Sequence, residues 1–147
     1  MRTIVVSAAF AMLVTSPLLA QGTAAPEGAR LYFVGLEDGA EVTSPVTIVF
    51  GLRGMGVAPA GIAKEGTGHH HLLLNRPPLG QGPFGAEEFE LALPADDNHR
   101  HFGMGQTEVT ITLAPGSHTL QLVLGDHDHV PHDPPVVSEV ITITVVE

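Results

Sequence analysis

Thr107-Glu108-Val109-Thr110-Ile111-Thr112-Leu113, the turn Ala114-Pro115-Gly116-Ser117, and His118-Thr119-Leu120-Gln121-Leu122-Val123-Leu124 decide the fold. Side chains alternate faces along a strand, so Val109, Ile111 and Leu113 share one face and Thr110 and Thr112 the other. Leu120, Leu122 and Leu124 repeat the pattern after the turn. One apolar and one polar face is the mark of an antiparallel sheet wetted on one side. A period of two, broken by Pro and Gly, excludes a helix here.

Working outward, the same period recurs. Val46, Ile48, Phe50 and Leu52 share a face within Pro45 to Leu52. Ile141, Ile143 and Val145 do so within Val137 to Val146, with Thr142 and Thr144 opposite. Arg30 to Gly35 and His69 to Asn75 are further strands, and Glu87 to Leu93 is the weakest. No segment of useful length has a helical period. Seven short strands separated by Gly, Pro, Asn and Asp predict an all-β chain, an immunoglobulin-like antiparallel β-sandwich of about seven strands. The domain runs over residues 27–147. Arg53 to Gly68 and Arg76 to Ala86 are long, Gly- and Pro-containing loops.

Ahead of this domain, Arg2 precedes a short apolar run from Ile4 to Leu19, with Ala20 as a small residue for cleavage. This is the layout of a secretory signal peptide over residues 1–20, with cleavage as late as residue 24 as the alternative. The run is short for a bilayer core, which takes about 20 apolar residues. The expectation is a periplasmic or secreted protein with no stable membrane insertion once the signal is removed.

Composition narrows the chemistry. The net charge is −10, with six Lys and Arg in all, too few for a phosphate-binding patch, so nucleic acid is not an expected partner. There is no cysteine, which removes disulfides, thiolate ligands and thiol nucleophiles. A protein partner cannot be named from these residues.

Nine histidines outnumber the Lys and Arg, and eight of them fall in three stretches. These are His69-His70-His71, His99-Arg100-His101, and His127-Asp128-His129-Val130-Pro131-His132. On a strand, His69, His71 and Leu73 point one way and His70, Leu72 and Leu74 the other. The side with two leucines is the better core face, so His70 is expected to be buried and hydrogen-bonded. His69 and His71 are left as a pair able to chelate one ion, and His99 and His101 repeat the spacing. His129 and His132 flank Pro131, and Asp126 offers a carboxylate as an oxygen ligand or as support for an imidazole. If chain connections alternate between the two ends of the sandwich, all three stretches meet at one end. That argument depends on the weak strand Glu87 to Leu93. His118 falls at the other end, as a structural corner residue.

The candidate metal ligands are therefore His69, His71, His99, His101, His129, His132 and Asp126. Imidazoles without thiolate suit copper(II), zinc or nickel better than magnesium or calcium, and copper(II) or zinc is the expectation. Asp96-Asp97-Asn98 alone lacks the ligand number that calcium takes. Only the neutral ring ligates, so binding at ordinary histidines weakens as the pH falls through about 6. The expected function is storage, delivery or resistance toward copper or zinc. The alternatives are a metal-dependent enzyme using the same site, and a non-metal envelope binding module with a structural histidine network. For an enzyme, Glu65, Glu108 and Asp97 are candidate acids or bases, and nothing singles one out as catalytic.

Several stretches resemble a family of small exported bacterial proteins known as domain of unknown function 4399. They include Leu31-Tyr32-Phe33-Val34, Val49-Phe50-Gly51-Leu52, Gly54-Met55-Gly56-Val57-Ala58-Pro59-Ala60-Gly61 and Gly66-Thr67-Gly68-His69-His70-His71-Leu72-Leu73. His101-Phe102-Gly103-x-Gly105-Gln106-Thr107-Glu108, where x is any residue, Leu124-Gly125-Asp126 and Pro131-His132-Asp133-Pro134-Pro135 complete the set. The resemblance implies that His69 to His71, His101, His129 and His132 belong to the family pattern and that His127 is this chain's own residue. It implies no activity. In composition the chain is also similar to exported copper-carrying β-sandwich proteins, an analogy that does not fix function.

Overall fold

The computed structural model describes residues 22–147. The expected signal segment, residues 1–20, lies outside them. The described chain is all-β. Its strands are β1 (Arg30–Val34), β2 (Glu41–Thr43), β3 (Val46–Arg53), β4 (Gly56–Val57), β5 (Thr67–Leu74), β6 (His99–Phe102), β7 (Glu108–Ile111), β8 (Gly116–Gly125) and β9 (Ile141–Val146). One sheet has the order β1-β3-β7. The other runs β2-β9-β8-β5-β4, with β6 also paired to β5. A strand has two edges, and β8 takes one edge of β5 from His69 to Leu74, so β6 must run along the other.

The two sheets share one apolar core. Leu31, Val46, Ile48, Phe50 and Ile111 come from the smaller sheet. Leu72, Leu74, Phe102, Leu120, Leu122, Leu124, Ile141, Ile143 and Val145 come from the larger. Apart from Leu31 and Phe102, these are alternating positions picked out by the sequence pattern. Each fully buried Leu or Ile contributes about 1.5–3 kcal/mol.

The larger sheet is buried on its second face as well. There Leu73 and Val123 pack with Leu79 and Leu93, which belong to the long connection between β5 and β6. His69 and His71 lie on the same side of β5 as Leu73, and loops cover them until they have no exposed surface.

Three expectations change. Glu87 to Leu93 is not a strand: Gly85–Phe89 is a short 3-10 helix. Its alternation was broken by Glu87, Glu88 and Glu90. The carboxylate of Glu88 turns inward, accepting from Arg76 and from the Gly80 amide. His99–Phe102, which falls between the expected strands Glu87 to Leu93 and Thr107 to Leu113, is itself strand β6. Finally, the sheets are not purely antiparallel, because the short strands β2 and β4 run parallel to β9 and β5. The three histidine stretches do converge, but through direct pairing rather than through alternation of chain ends. Among the described residues, no helix is long and apolar enough to cross a membrane.

Candidate metal centre

Strand register assembles the site. His71 on β5 is the cross-strand partner of His101 on β6. On the other edge of β5, His69 is opposite Gly125, the last residue of β8, so the turn that follows starts beside His69. That turn, Asp126 to Val130, is closed by the amide of Asp126 donating to Val130 O and that of His129 to Asp126 O. His129 sits in it at φ 68°, a left-handed conformation that costs a non-glycine residue about 1–2 kcal/mol. Strain of this kind persists where the surroundings impose it, often at functional sites.

His69, His71, His101 and His129 each bring a ring nitrogen to within 4.8 Å of the others. His69 Nε2 lies 3.1 Å from His129 Nδ1 and 3.0 Å from His71 Nε2. The His101 ring stands 5.0 Å from both His69 and His71 and 4.7 Å from His129, centroid to centroid. An imidazole nitrogen carries either one proton or one lone pair, so His69 Nε2 can make one good hydrogen bond, not two. Several nitrogens around a point suit a single cation. Bonds of 2.0–2.1 Å to a tetrahedral ion place ligand nitrogens about 3.3 Å apart, close to these separations.

Three of the four rings are held in the form that can bind a metal ion. Burial pushes His71 down to about 2, with the neighbouring imidazoles of His69, His99, His101 and His129 adding to the effect. Burial, then His129 and His101, push His69 down to about 4. Burial and His129 lower His101 too. These rings are held neutral, the form that ligates.

They are also poorly served as a hydrogen-bond network. His69 Nδ1, His71 Nδ1 and His101 Nε2 are buried with no protein partner. Buried polar atoms in a structural network are normally paired. Space around the rings is fitted closely. A β-carbon on Gly125 would stand 2.9 Å from His71 Nε2, and one on Gly103 would stand 2.5 Å from His101 Nε2 and 3.2 Å from Ala60 Cβ. The Ala60 amide donates to Gly103 O and the Gly61 amide to His127 O, so this loop spans the two segments that carry His101 and His129.

The other candidates lie outside this group. His99 is buried, but its Nδ1 faces the Arg76 guanidinium at 3.2 Å. The guanidinium only donates, so His99 carries its proton on Nε2 and is not presented as a ligand. Burial and Arg76 push it down to about 4. Its ring stands edge-on to His71 at 5.4 Å. His132 has a backbone carbonyl near each ring nitrogen, Leu124 O at 3.3 Å and Thr67 O at 3.2 Å, and ties β5 to the loop after β8.

Asp126 is fully engaged. Oδ1 accepts from the amides of Asp128 and Val130, and Oδ2 from the amide and hydroxyl of Thr23. Burial pushes its carboxyl up, but the bonds from the Thr23 hydroxyl and the three amides outweigh this and leave it below the usual carboxylate value. It supports the His129 turn.

His70 lies against Phe50, opposite Phe102 across the β5–β6 pair, with Nδ1 donating to Gln106 O. His118 accepts from the Asn75 amide group and donates to Ala114 O, the corner role expected for it. His127 is half-buried beside Asp128.

Sequence reasoning did not reach Thr23, Gly125 or Ala60, whose roles depend on contacts between distant segments. Nor did it reach a cleft of about 670 Å³ on the side of His99, lined by Arg76, Leu79, Phe84, Leu91 and Leu93.

The model of the family described as a domain of unknown function (DUF4399) matches residues 48–146. The chain belongs to this family. The DUF4399 match takes in all four converging histidines, and the turn and strands that hold them. No curated protein and no solved structure matches the chain.

Proposed function

We propose that this DUF4399 protein is an exported, soluble protein that holds one copper(II) or zinc ion through His69, His71, His101 and His129, for storage, delivery or resistance. The observation that carries the reading is the placement of four imidazoles with a ring nitrogen of each around one point, where His69 Nε2 meets two ring nitrogens and can bond only one of them. Without a cation, His69 Nε2 can satisfy only one of the two ring nitrogens beside it, and an unmet buried nitrogen costs about 1–3 kcal/mol. The absence of thiolate, and of any carboxylate in the group among the described residues, favours borderline metals over magnesium or calcium. Export rests on the signal-like pattern of residues 1–20, and the supporting scaffold is read as an immunoglobulin-like sandwich.

A calorimetric titration of untagged protein with copper(II) and with zinc at pH 7.5 tests this reading. One equivalent should bind, and a His69→Ala/His71→Ala double variant should bind at least tenfold more weakly. No stoichiometric binding by the parent would end it.

A metal-dependent enzyme is the second reading, favoured by the cleft beside His99. Glu65, Glu108 and Asp97 are exposed and none joins the histidine group. Turnover of a hydrolytic or redox substrate by the metal-loaded protein, lost in the same double variant, would establish it.

A further inference from the structure

We infer that Gly22–Ala25 is a working part of the metal centre, that Thr23 is a positioning residue for His129, and that the mature chain therefore begins ahead of Gly22. The inference rests on the reading of His129 as a ligand and of residues 1–20 as a signal. Thr23 lies 103 residues from Asp126, yet its amide and hydroxyl donate to Asp126 Oδ2 at 3.1 and 2.8 Å. The other oxygen of the same carboxylate holds the amides of Asp128 and Val130 at 2.9 and 3.0 Å, on either side of His129. Thr23, Asp126 and the His129 turn thus form one chain of contacts.

The segment is fitted to its place beyond this one side chain. Ala25 donates its amide to Asp133 O, and Asp133 donates its amide to Thr23 O, so Ala24 and Asp133 form a parallel bridge. Gly22 runs against Pro131, where a β-carbon would come within 1.9 Å of the carbonyl oxygen, so only glycine fits. Both ends of the 126–133 loop are therefore tied to the amino-terminal segment.

Asp126 is 4% exposed. Without the Thr23 hydroxyl, its Oδ2 would keep only the longer bond from the residue-23 amide, and a buried carboxylate oxygen so poorly served is relieved by rotating toward water. Rotation takes Oδ1 off the amides of Asp128 and Val130 and frees His129 from its left-handed conformation. Cleavage after Ala24 would remove Thr23 and the pairing with Asp133. Cleavage after Ala20 keeps both.

The test uses exported, untagged protein carrying Thr23→Val, which keeps the shape and loses the hydroxyl, or Thr23→Ser, which restores it. Hydrogen exchange at the Asp128 and Val130 amides is read without metal, and zinc affinity is read by calorimetry. Thr23→Val should speed exchange at both amides at least tenfold and weaken zinc binding at least fivefold, and Thr23→Ser should stay within about twofold of the parent on both. Exchange in Thr23→Val equal to that of the parent, or no recovery in Thr23→Ser, overturns the positioning role even if no zinc binds to the parent. A parent that binds neither zinc nor copper(II) while exchange responds as expected overturns the metal reading and leaves Thr23 as a structural tie to the His129 turn. Mass spectrometry of the same preparation should find an amino terminus ahead of Gly22, and a terminus at Ala25 would overturn the processing claim.

Discussion

Gly125 lies so close to His71 that a β-carbon on it would stand 2.9 Å from the Nε2 atom that faces His69. The backbone of Gly125 does not need glycine for its dihedral angles, since its φ is not among the positive ones. Its lack of a side chain serves the approach of the ring. Gly125→Ala should push the His71 ring off its position, weaken zinc binding at least tenfold, and destabilise the metal-free fold by about 1–3 kcal/mol. Calorimetric titration and a urea melt check the two effects. Unchanged affinity would mean that the His71 nitrogen is not where ligation occurs.

Replacing His71 by leucine should separate stability from binding. The ring has no exposed surface, and its Nδ1 lacks a partner. Leucine is close in volume and removes the unmet nitrogen, so the metal-free protein should be unchanged or up to about 1 kcal/mol more stable. Zinc should raise the Tm of the parent and not that of the variant. A large loss of stability in the metal-free variant would point to a structural role for the ring.

His129 makes a similar point about the turn. Asparagine tolerates a left-handed backbone better than most residues. His129→Asn should keep the metal-free Tm within a few degrees of the parent and cut metal affinity at least tenfold. Circular dichroism melts and calorimetry read the two together, and retention of full affinity would remove His129 from the ligand set.

Acid should destabilise the metal-free protein in a defined window. His69, His71 and His99 are held at about 4, about 2 and about 4, against 6.5 when unfolded. Between those values the unfolded chain binds more protons than the native one, so stability is complete above about pH 6.5 and falls as the pH drops. Each titrating group contributes a slope of up to about 1.4 kcal/mol per pH unit. Asp126, whose carboxyl is lowered, adds its own loss below about pH 4. Urea melts at pH 7.5, 6, 5 and 4 should show a steady fall, and a flat profile from 7.5 to 5 would contradict it. Free histidine loses metal near pH 6, but burial defers proton competition at His69 and His71 to lower pH.

Much of the core was legible in the sequence, because alternation reports directly which side chains face inward. Ile48, Leu122 and Ile143 are at the positions the pattern assigns. The face of β5 was legible for the same reason, which separated His69 and His71 from His70. The segment 87–93 misled because a period of two over a few residues says nothing about where a glutamate carboxylate finds its partner, here Arg76. His99 and His101 repeat the spacing of His69 and His71 and could not be told apart by spacing alone. Arg76 turns His99 away from ligation, whereas the register of β6 aims His101 at His71. Thr23 carried no local signal, since its partner is a carboxylate at the far end of the chain.

The most direct test of the central claim is nitrogen-15 NMR of the histidine rings in untagged protein as one equivalent of zinc is added at pH 7.5. The account predicts that the ring nitrogens of His69, His71, His101 and His129 shift together and saturate at one equivalent, while those of His70, His118 and His132 hold still. Shifts confined to rings outside the group, such as the half-buried His127 and the backbone-bonded His132, or no shift at all, would contradict it.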